Sequence, residues 1–305
     1  MRGPQSAGKA AQTRLIARPG AGDMAGGEKP ADSGSPQQDR VNPGMDGGAA
    51  QAGTDDVSPT QSSFRYTAAS GAPLRRFETT VYHRSLFLDG PAGRLEALLW
   101  TSPRPDTPLA ALVCHPHPLY GGTMHNKVVF QVARTLHGFG VPVLRFNFRG
   151  AGLSEGVHDL GRGEQDDVRA AVDFLAKEFP QRPLLLAGFS FGAWVGLRVG
   201  CADRRVSELV GLGLPTNSSD LSYLRGCAKP KLLLQGDRDQ YGSRENVEAL
   251  IAGMPESERR QTTLVFIPEA DHFFAGKLDQ VHAALAAWLH DRHPKLAPSL
   301  DETRN

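Results

Sequence analysis

The feature that most constrains this chain is the passage Leu184–Gly192. There an apolar run, Leu184-Leu185-Leu186-Ala187, meets Gly188-Phe189-Ser190-Phe191-Gly192 and leads without a break into the segment Phe191–Cys201. The apolar run reads as a strand covered on both faces, and the segment after it as a helix. A G-x-S-x-G at such a junction needs a tight, strained turn, with the serine at its apex and Oγ projecting above the sheet toward the helix N-terminus. Strand and helix pass close behind that turn, so the flanking positions must be nearly free of side chain, which Gly188 and Gly192 satisfy. Gly196 and Gly200 continue the four-residue spacing and let the helix lie close against the sheet.

The remaining sequence supplies that sheet. Val81–Leu88 and Arg94–Trp100 read as an antiparallel hairpin about Asp89-Gly90-Pro91-Ala92-Gly93. Strands at Leu109–Cys114, Val141–Phe148, Pro183–Phe189, Val206–Leu214, Lys231–Gln235 and Thr262–Ile267 follow. They alternate with helices at Asn126–His137, Asp167–Phe179, Phe191–Cys201, Arg244–Ala252 and Leu278–His290. In the second helix Val168, Ala171, Val172 and Leu175 form the apolar stripe, and Glu164, Asp166 and Asp167 suit its positive N-terminal end. The alternation predicts an α/β fold with a mostly parallel central sheet of about eight strands, an antiparallel N-terminal hairpin and flanking helices.

Composition changes sharply near residue 74. From Met1 to Pro73 about one residue in four is Gly or Pro, and large apolar residues are too sparse to offset ordering entropy. The expected organisation is a disordered leader over 1–73, one domain over 74–293 and a flexible tail over 294–305.

A serine nucleophile needs a base to take its proton and an acid to orient that base. Candidates belong at the C-terminal ends of strands, the side of an open α/β sheet where ligands bind. Gly236-Asp237-Arg238-Asp239 follows one late strand, and Glu269-Ala270-Asp271-His272-Phe273-Phe274 follows another. His272 is the candidate base and Asp239 its partner. Asp237 is the rival acid and Asp220 a lesser one; Asp271 adjoins His272 and is expected to point elsewhere. The tetrahedral oxyanion needs N–H donors, one from the backbone of Phe191 and one from His115-Pro116-His117-Pro118-Leu119-Tyr120-Gly121-Gly122. Pro116 and Pro118 have no N–H, so the backbone of His117 is preferred, with Leu119 and Tyr120 behind it. Leu119, Tyr120 and Phe273 are the residues expected to touch substrate.

In this order the Gly188–Gly192 turn, Asp239 and His272 resemble the α/β-hydrolase superfamily, over about residues 80–290. Phe146-Asn147-Phe148-Arg149-Gly150-Ala151-Gly152-Leu153-Ser154 resembles the arginine-glycine loop that many members carry. His115–Val129 (HPHPLYGGTMHNKVV), with GFSFGAWVG and ADHFF, is similar to a narrower group of small bacterial predicted hydrolases, akin to dienelactone hydrolase-like and esterase-like proteins. The resemblance implies a Ser190–Asp239–His272 triad working through an acyl-enzyme intermediate. Dienelactone hydrolases proper use a cysteine nucleophile where this chain has Ser190, so their substrate is not carried over.

About 15 residues, Pro215–Pro230, separate two of the late strands, which leaves room for a minimal cap. That disfavours long-chain lipase behaviour and favours small or modest acyl esters or thioesters, with no cofactor and no metal. Serine peptidase or amidase activity is the first alternative, and a non-catalytic binding protein derived from an esterase the second. Cys114, His115, His117 and His125 have no recognised metal-ligand spacing. Gly150-Ala151-Gly152 with Gly156 mimics a dinucleotide loop, but a polar stretch through Asp159 and Arg162 intervenes before the helix. With 34 Lys+Arg against 33 Asp+Glu there is no global basic field for nucleic acid. No run approaches the roughly 18 apolar residues of a membrane helix. Three scattered cysteines suit a reducing compartment, and the expected location is the cytoplasm.

Overall fold

The structure, a computed structural model, describes residues 57–64, 77–101 and 107–296. Nine strands form one sheet: β1 (Val57–Phe64), β2 (Phe77–Gly90), β3 (Gly93–Thr101), β4 (Ala110–Cys114), β5 (Val143–Phe146), β6 (Leu184–Phe189), β7 (Val206–Leu212), β8 (Lys231–Gly236) and β9 (Thr262–Ile267). Their spatial order is β1-β2-β3-β5-β4-β6-β7-β8-β9. From β5 through β9 neighbours are parallel, whereas β1, β2 and β3 enter antiparallel.

Strands β4 and β6 are apolar at every position because both faces are covered. Leu184 and Leu186 of β6 join Leu112 and Cys114 of β4 in the core on one face. Leu185 and Ala187 join Ala111 and Val113 on the other. Helices α1 (Lys127–Gly138) and α6 (Leu278–Arg292) pack together on the second face, and α2 (Gly163–Glu178) and α3 (Phe191–Ala202) on the first. Helices α4 (Arg244–Ala252) and α5 (Glu256–Arg260) lie between β8 and β9. Asn126 caps α1, its side chain accepting from the Val128 N–H at 2.9 Å.

Three details differ from the sequence reading. The sheet has nine strands because β1 lies within the segment expected to be a disordered leader, pairing Val57–Phe64 with Phe77–Arg84 of β2. An edge strand is held by main-chain hydrogen bonds and needs little apolar content, and it tolerates Pro59. The rest of that leader, and the tail beyond 296, lie outside the described residues. Next, α2 begins at Gly163 rather than Asp167, since the Asp159 carboxylate accepts the Gly163 N–H at 3.0 Å and so extends the start. Finally, the five-residue α5 is too short to show a period.

Between β7 and β8 the chain forms one short 3-10 turn, Ser222–Gly226, and no larger cap. No helix among the described residues is long and apolar enough to cross a membrane.

Candidate active site

Ser190 stands at the junction of β6 and α3 with φ +54° and ψ −116°, a conformation an L-residue holds only when its surroundings impose it. Its N–H donates to Leu212 O at 2.9 Å, and its carbonyl accepts from the Trp194 N–H at 3.0 Å. Those two bonds tie the turn to β7 and to the first turn of α3. The flanking glycines are required by contact. A Cβ on Gly188 would lie 2.3 Å from the Gly192 carbonyl oxygen, and one on Gly192 would lie 2.5 Å from that of Cys114.

The ends of β8 and β9 bring the other two candidates to this serine. Ser190 Oγ is 2.9 Å from His272 Nε2, and His272 Nδ1 is 2.8 Å from Asp239 Oδ2. Because a carboxylate only accepts, Nδ1–H donates to Asp239 and Nε2 is left to accept the serine proton. His272 and Asp239 are both buried. Asp239 Oδ1 accepts from the N–H groups of Tyr241 at 2.8 Å and Gly242 at 3.1 Å. Its Oδ2 also accepts from Gln235 at 2.7 Å.

Two of the rival carboxylates are engaged elsewhere. Asp271 folds back to accept from the N–H groups of Phe273 and Ala275. Asp220 accepts from the Ser222 N–H. Asp237 Oδ1 is buried without a hydrogen-bond partner among the described residues, so Asp237 stays off the line to His272.

Opposite, the loop after β4 forms a 3-10 turn, Pro118–Tyr120. The Leu119 N–H donates to His117 Nδ1 at 3.3 Å, and the Tyr120 N–H to His117 O at 3.1 Å. Both are committed, which leaves the His117 N–H of the three loop candidates. Across from it the Phe191 N–H opens α3, where the first N–H groups have no intrahelical partner. Burial, then the neighbouring His158, lower the His117 imidazole below its ordinary value, against the opposing pull of Glu164. The fully buried His115 uses both ring nitrogens: Nδ1 donates to Pro116 O at 2.6 Å and Nε2 accepts from the Phe148 N–H at 2.9 Å.

Ser190 and His272 face a cleft of about 760 Å³. Tyr120 and Phe273, two of the residues expected to touch substrate, line it, and Leu119, the third, does not. Leu119 sits on the outer side of its turn, 67% exposed to solvent. Among the lining residues that the sequence reading did not single out are His158, Leu160, Trp194 and Tyr241. The Tyr241 ring lies 4.6 Å from that of His272. Tyr241 follows two residues after Asp239, and that proximity was the available signal. His158 and Leu160 come from the loop before α2, behind the buried Arg149–Asp167 pair (2.7 Å), and nothing in their sequence marks them.

Residues 120–284 match the alpha/beta hydrolase domain family. A protein of Rickettsia prowazekii, uncharacterized protein RP471, is 36% identical over 209 residues, covering 67% of this chain and 87% of that one. Among solved structures, XC6422 from Xanthomonas campestris, described as an a/b serine hydrolase without lid, is 39% identical with a TM-score of 0.63, covering 70% of this chain and 95% of its own. An alpha-beta serine hydrolase homologue from Coxiella burnetii is 34% identical with a TM-score of 0.63, covering 67% and 96%.

Proposed function

This chain belongs to the alpha/beta hydrolase family, and from that premise we propose that it is a serine hydrolase cleaving small or modest-size carboxylic esters or thioesters. The observation that carries the reading is the unbroken line from Ser190 Oγ through His272 to Asp239, with links of 2.9 and 2.8 Å, at the wall of an accessible cleft.

In this mechanism Ser190 Oγ attacks the carbonyl carbon as His272 Nε2 takes its proton. Asp239 holds the imidazole in the tautomer that can accept and stabilises the cation that forms. The N–H groups of Phe191 and His117 bind the oxyanion. Collapse of the tetrahedral intermediate breaks the bond to the alcohol or thiol, which leaves with the proton from His272. A water molecule then repeats the sequence on the acyl-enzyme: His272 takes its proton, the acid is released, and Ser190 recovers its hydrogen. The short β7–β8 connection supports a preference for modest acyl groups, since among the described residues no larger cap covers a long chain.

The test is hydrolysis of p-nitrophenyl esters of increasing chain length by wild type and Ser190→Ala. The reading expects a short-chain preference, and a loss of at least about a thousandfold in kcat on substitution. Turnover retained by Ser190→Ala would overturn it.

A further inference from the structure

Aromatic rings line the cleft in two groups, one about the base and one about the oxyanion donors. In the first, Tyr241 lies 4.6 Å and Phe273 5.3 Å from the His272 ring, centre to centre. In the second, the Phe191 ring stands 4.8 Å from that of His117 and 5.7 Å from that of Trp194, and the His117 ring 4.7 Å from that of Tyr120. Among the described residues that line the cleft there is no Lys, Arg, Asp or Glu.

Trp194 is fixed in place before any ligand arrives. It sits one turn after Ser190, its N–H donating to the Ser190 carbonyl at 3.0 Å. Its indole N–H donates to Asp220 O at 3.1 Å, and Gly161 packs so closely that a Cβ there would lie 2.5 Å from the ring. The half-buried indole therefore adds contact area at little ordering cost.

The chemistry divides a substrate between the two groups. The departing oxygen or sulfur takes its proton from His272 Nε2, so the leaving group lies on the side of Tyr241 and Phe273. The carbonyl oxygen points to the Phe191 and His117 N–H groups. The acyl substituent is directed away from His272 and is left to the wall that Trp194 forms. A flat π-system on that wall gains ring contacts beyond its buried area, which a saturated group of the same size does not. An ionised acyl group would leave water for a wall with no permanent opposite charge.

We propose that Trp194 is a specificity-determining residue and that the preferred substrates are esters of uncharged aromatic acids, the acyl ring lying against the indole. This rests on the hydrolase reading and deepens it.

The experiment compares kcat/KM for the p-nitrophenyl esters of benzoate, cyclohexanecarboxylate and terephthalate (as its half-ester) with wild type, Trp194→Leu and Trp194→Phe. Each value is divided by that ester's rate constant with hydroxide, which removes differences in intrinsic reactivity. Fluorophosphonate labelling of Ser190 is followed in parallel. Wild type should prefer the benzoate over the cyclohexanecarboxylate by about tenfold, the worth of one or two good ring contacts. Trp194→Leu should bring that ratio to within about twofold of one, chiefly through the benzoate, whereas a merely structural role would slow both esters alike. Trp194→Phe, which restores a ring, should keep part of the preference. Indifference of wild type to the aromatic ring, a preference for the charged terephthalate ester over the benzoate, or an unchanged ratio in Trp194→Leu would each overturn the proposal. The wild-type ratio tests it even where a variant fails to fold. Absence of Ser190 labelling in wild type would strike the hydrolase reading instead, so the two failures are distinct.

Discussion

Gln235 Nε2 donates to Asp239 Oδ2 at 2.7 Å, the same oxygen that accepts from His272 Nδ1 at 2.8 Å. The Gln235 amide also reaches Gly242 O at 2.8 Å, while its Oε1 accepts from the Leu214 N–H at 2.7 Å. One buried side chain thus ties the end of β7, strand β8 and the loop bearing Asp239 into a single network. The direction of the Asp239 carboxylate is set from behind as well as by the two main-chain N–H groups on its other oxygen.

Replacing Gln235 with Leu keeps the volume and removes the network. Leu214 N–H and Gly242 O lose a buried partner, at about 1–3 kcal/mol of stability. With Asp239 less firmly aimed, kcat should fall about ten- to a hundredfold while KM changes little, since substrate does not touch this residue. Urea unfolding and steady-state kinetics on one ester check both. A variant with wild-type kcat would show that Gln235 supports the fold alone.

Asp239→Asn should cost far more, about a thousand- to ten-thousandfold in kcat. An amide NH2 facing Nδ1 makes that nitrogen accept and puts the ring proton on Nε2, where it blocks transfer from Ser190. Asp237→Asn should be nearly silent, because Asp237 lies off the line to His272. A larger loss in Asp237→Asn than in Asp239→Asn would reverse the acid assignment.

Gly188→Ala tests the turn. The added methyl would meet the Gly192 carbonyl oxygen at 2.3 Å, and backbone rather than a flexible side chain must move. Such overpacking costs about 1–3 kcal/mol and shifts Ser190 away from His272. Both a lower melting temperature and a loss of activity are expected. Full activity in the alanine variant would mean that strand and helix are not as close as 2.3 Å requires.

Ser190, Asp239 and His272 were legible because each follows a readable strand, and strand ends on one side of a parallel sheet converge in space. Local spacing carried that much. The acid is harder to read from sequence, because Asp237 and Asp239 share one loop and what separates them is which carboxylate meets Gln235 and the Tyr241 and Gly242 N–H groups. Strand β1 escaped because β2 recruits it through main-chain bonds that leave no apolar pattern. His158 and Trp194 escaped for a different reason: their place on the cleft depends on how the loop before α2 folds over α3, a long-range contact without a local period. Leu119 stays outside the cleft lining because a one-turn 3-10 segment decides which of its residues faces the cleft.

The His115 ring predicts a pH effect on stability. Burial lowers it from 6.5 to about 4, and its neutral form satisfies both Pro116 O and the Phe148 N–H. The unfolded chain takes up this proton near pH 6.5 and the folded one near 4, so the contribution is full above about 6.5 and is lost as pH falls toward 4. The full shift is worth on the order of 3 kcal/mol. Other buried histidines, such as His137, shift in the same direction. Urea midpoints at several pH values for wild type and His115→Gln isolate its share: the gap between the two should narrow on acidification. A gap independent of pH would contradict the assignment.

The central claim is that Ser190 is a nucleophile activated by His272. Its most direct test is mass spectrometry of the full chain after reaction with a fluorophosphonate probe, with peptide mapping of the adduct, on wild type, Ser190→Ala and His272→Ala. The account predicts one adduct on Ser190 in wild type, none in Ser190→Ala, and labelling slowed by at least about a hundredfold in His272→Ala. A folded wild-type protein that takes no label, or one labelled at another residue regardless of Ser190, would contradict it.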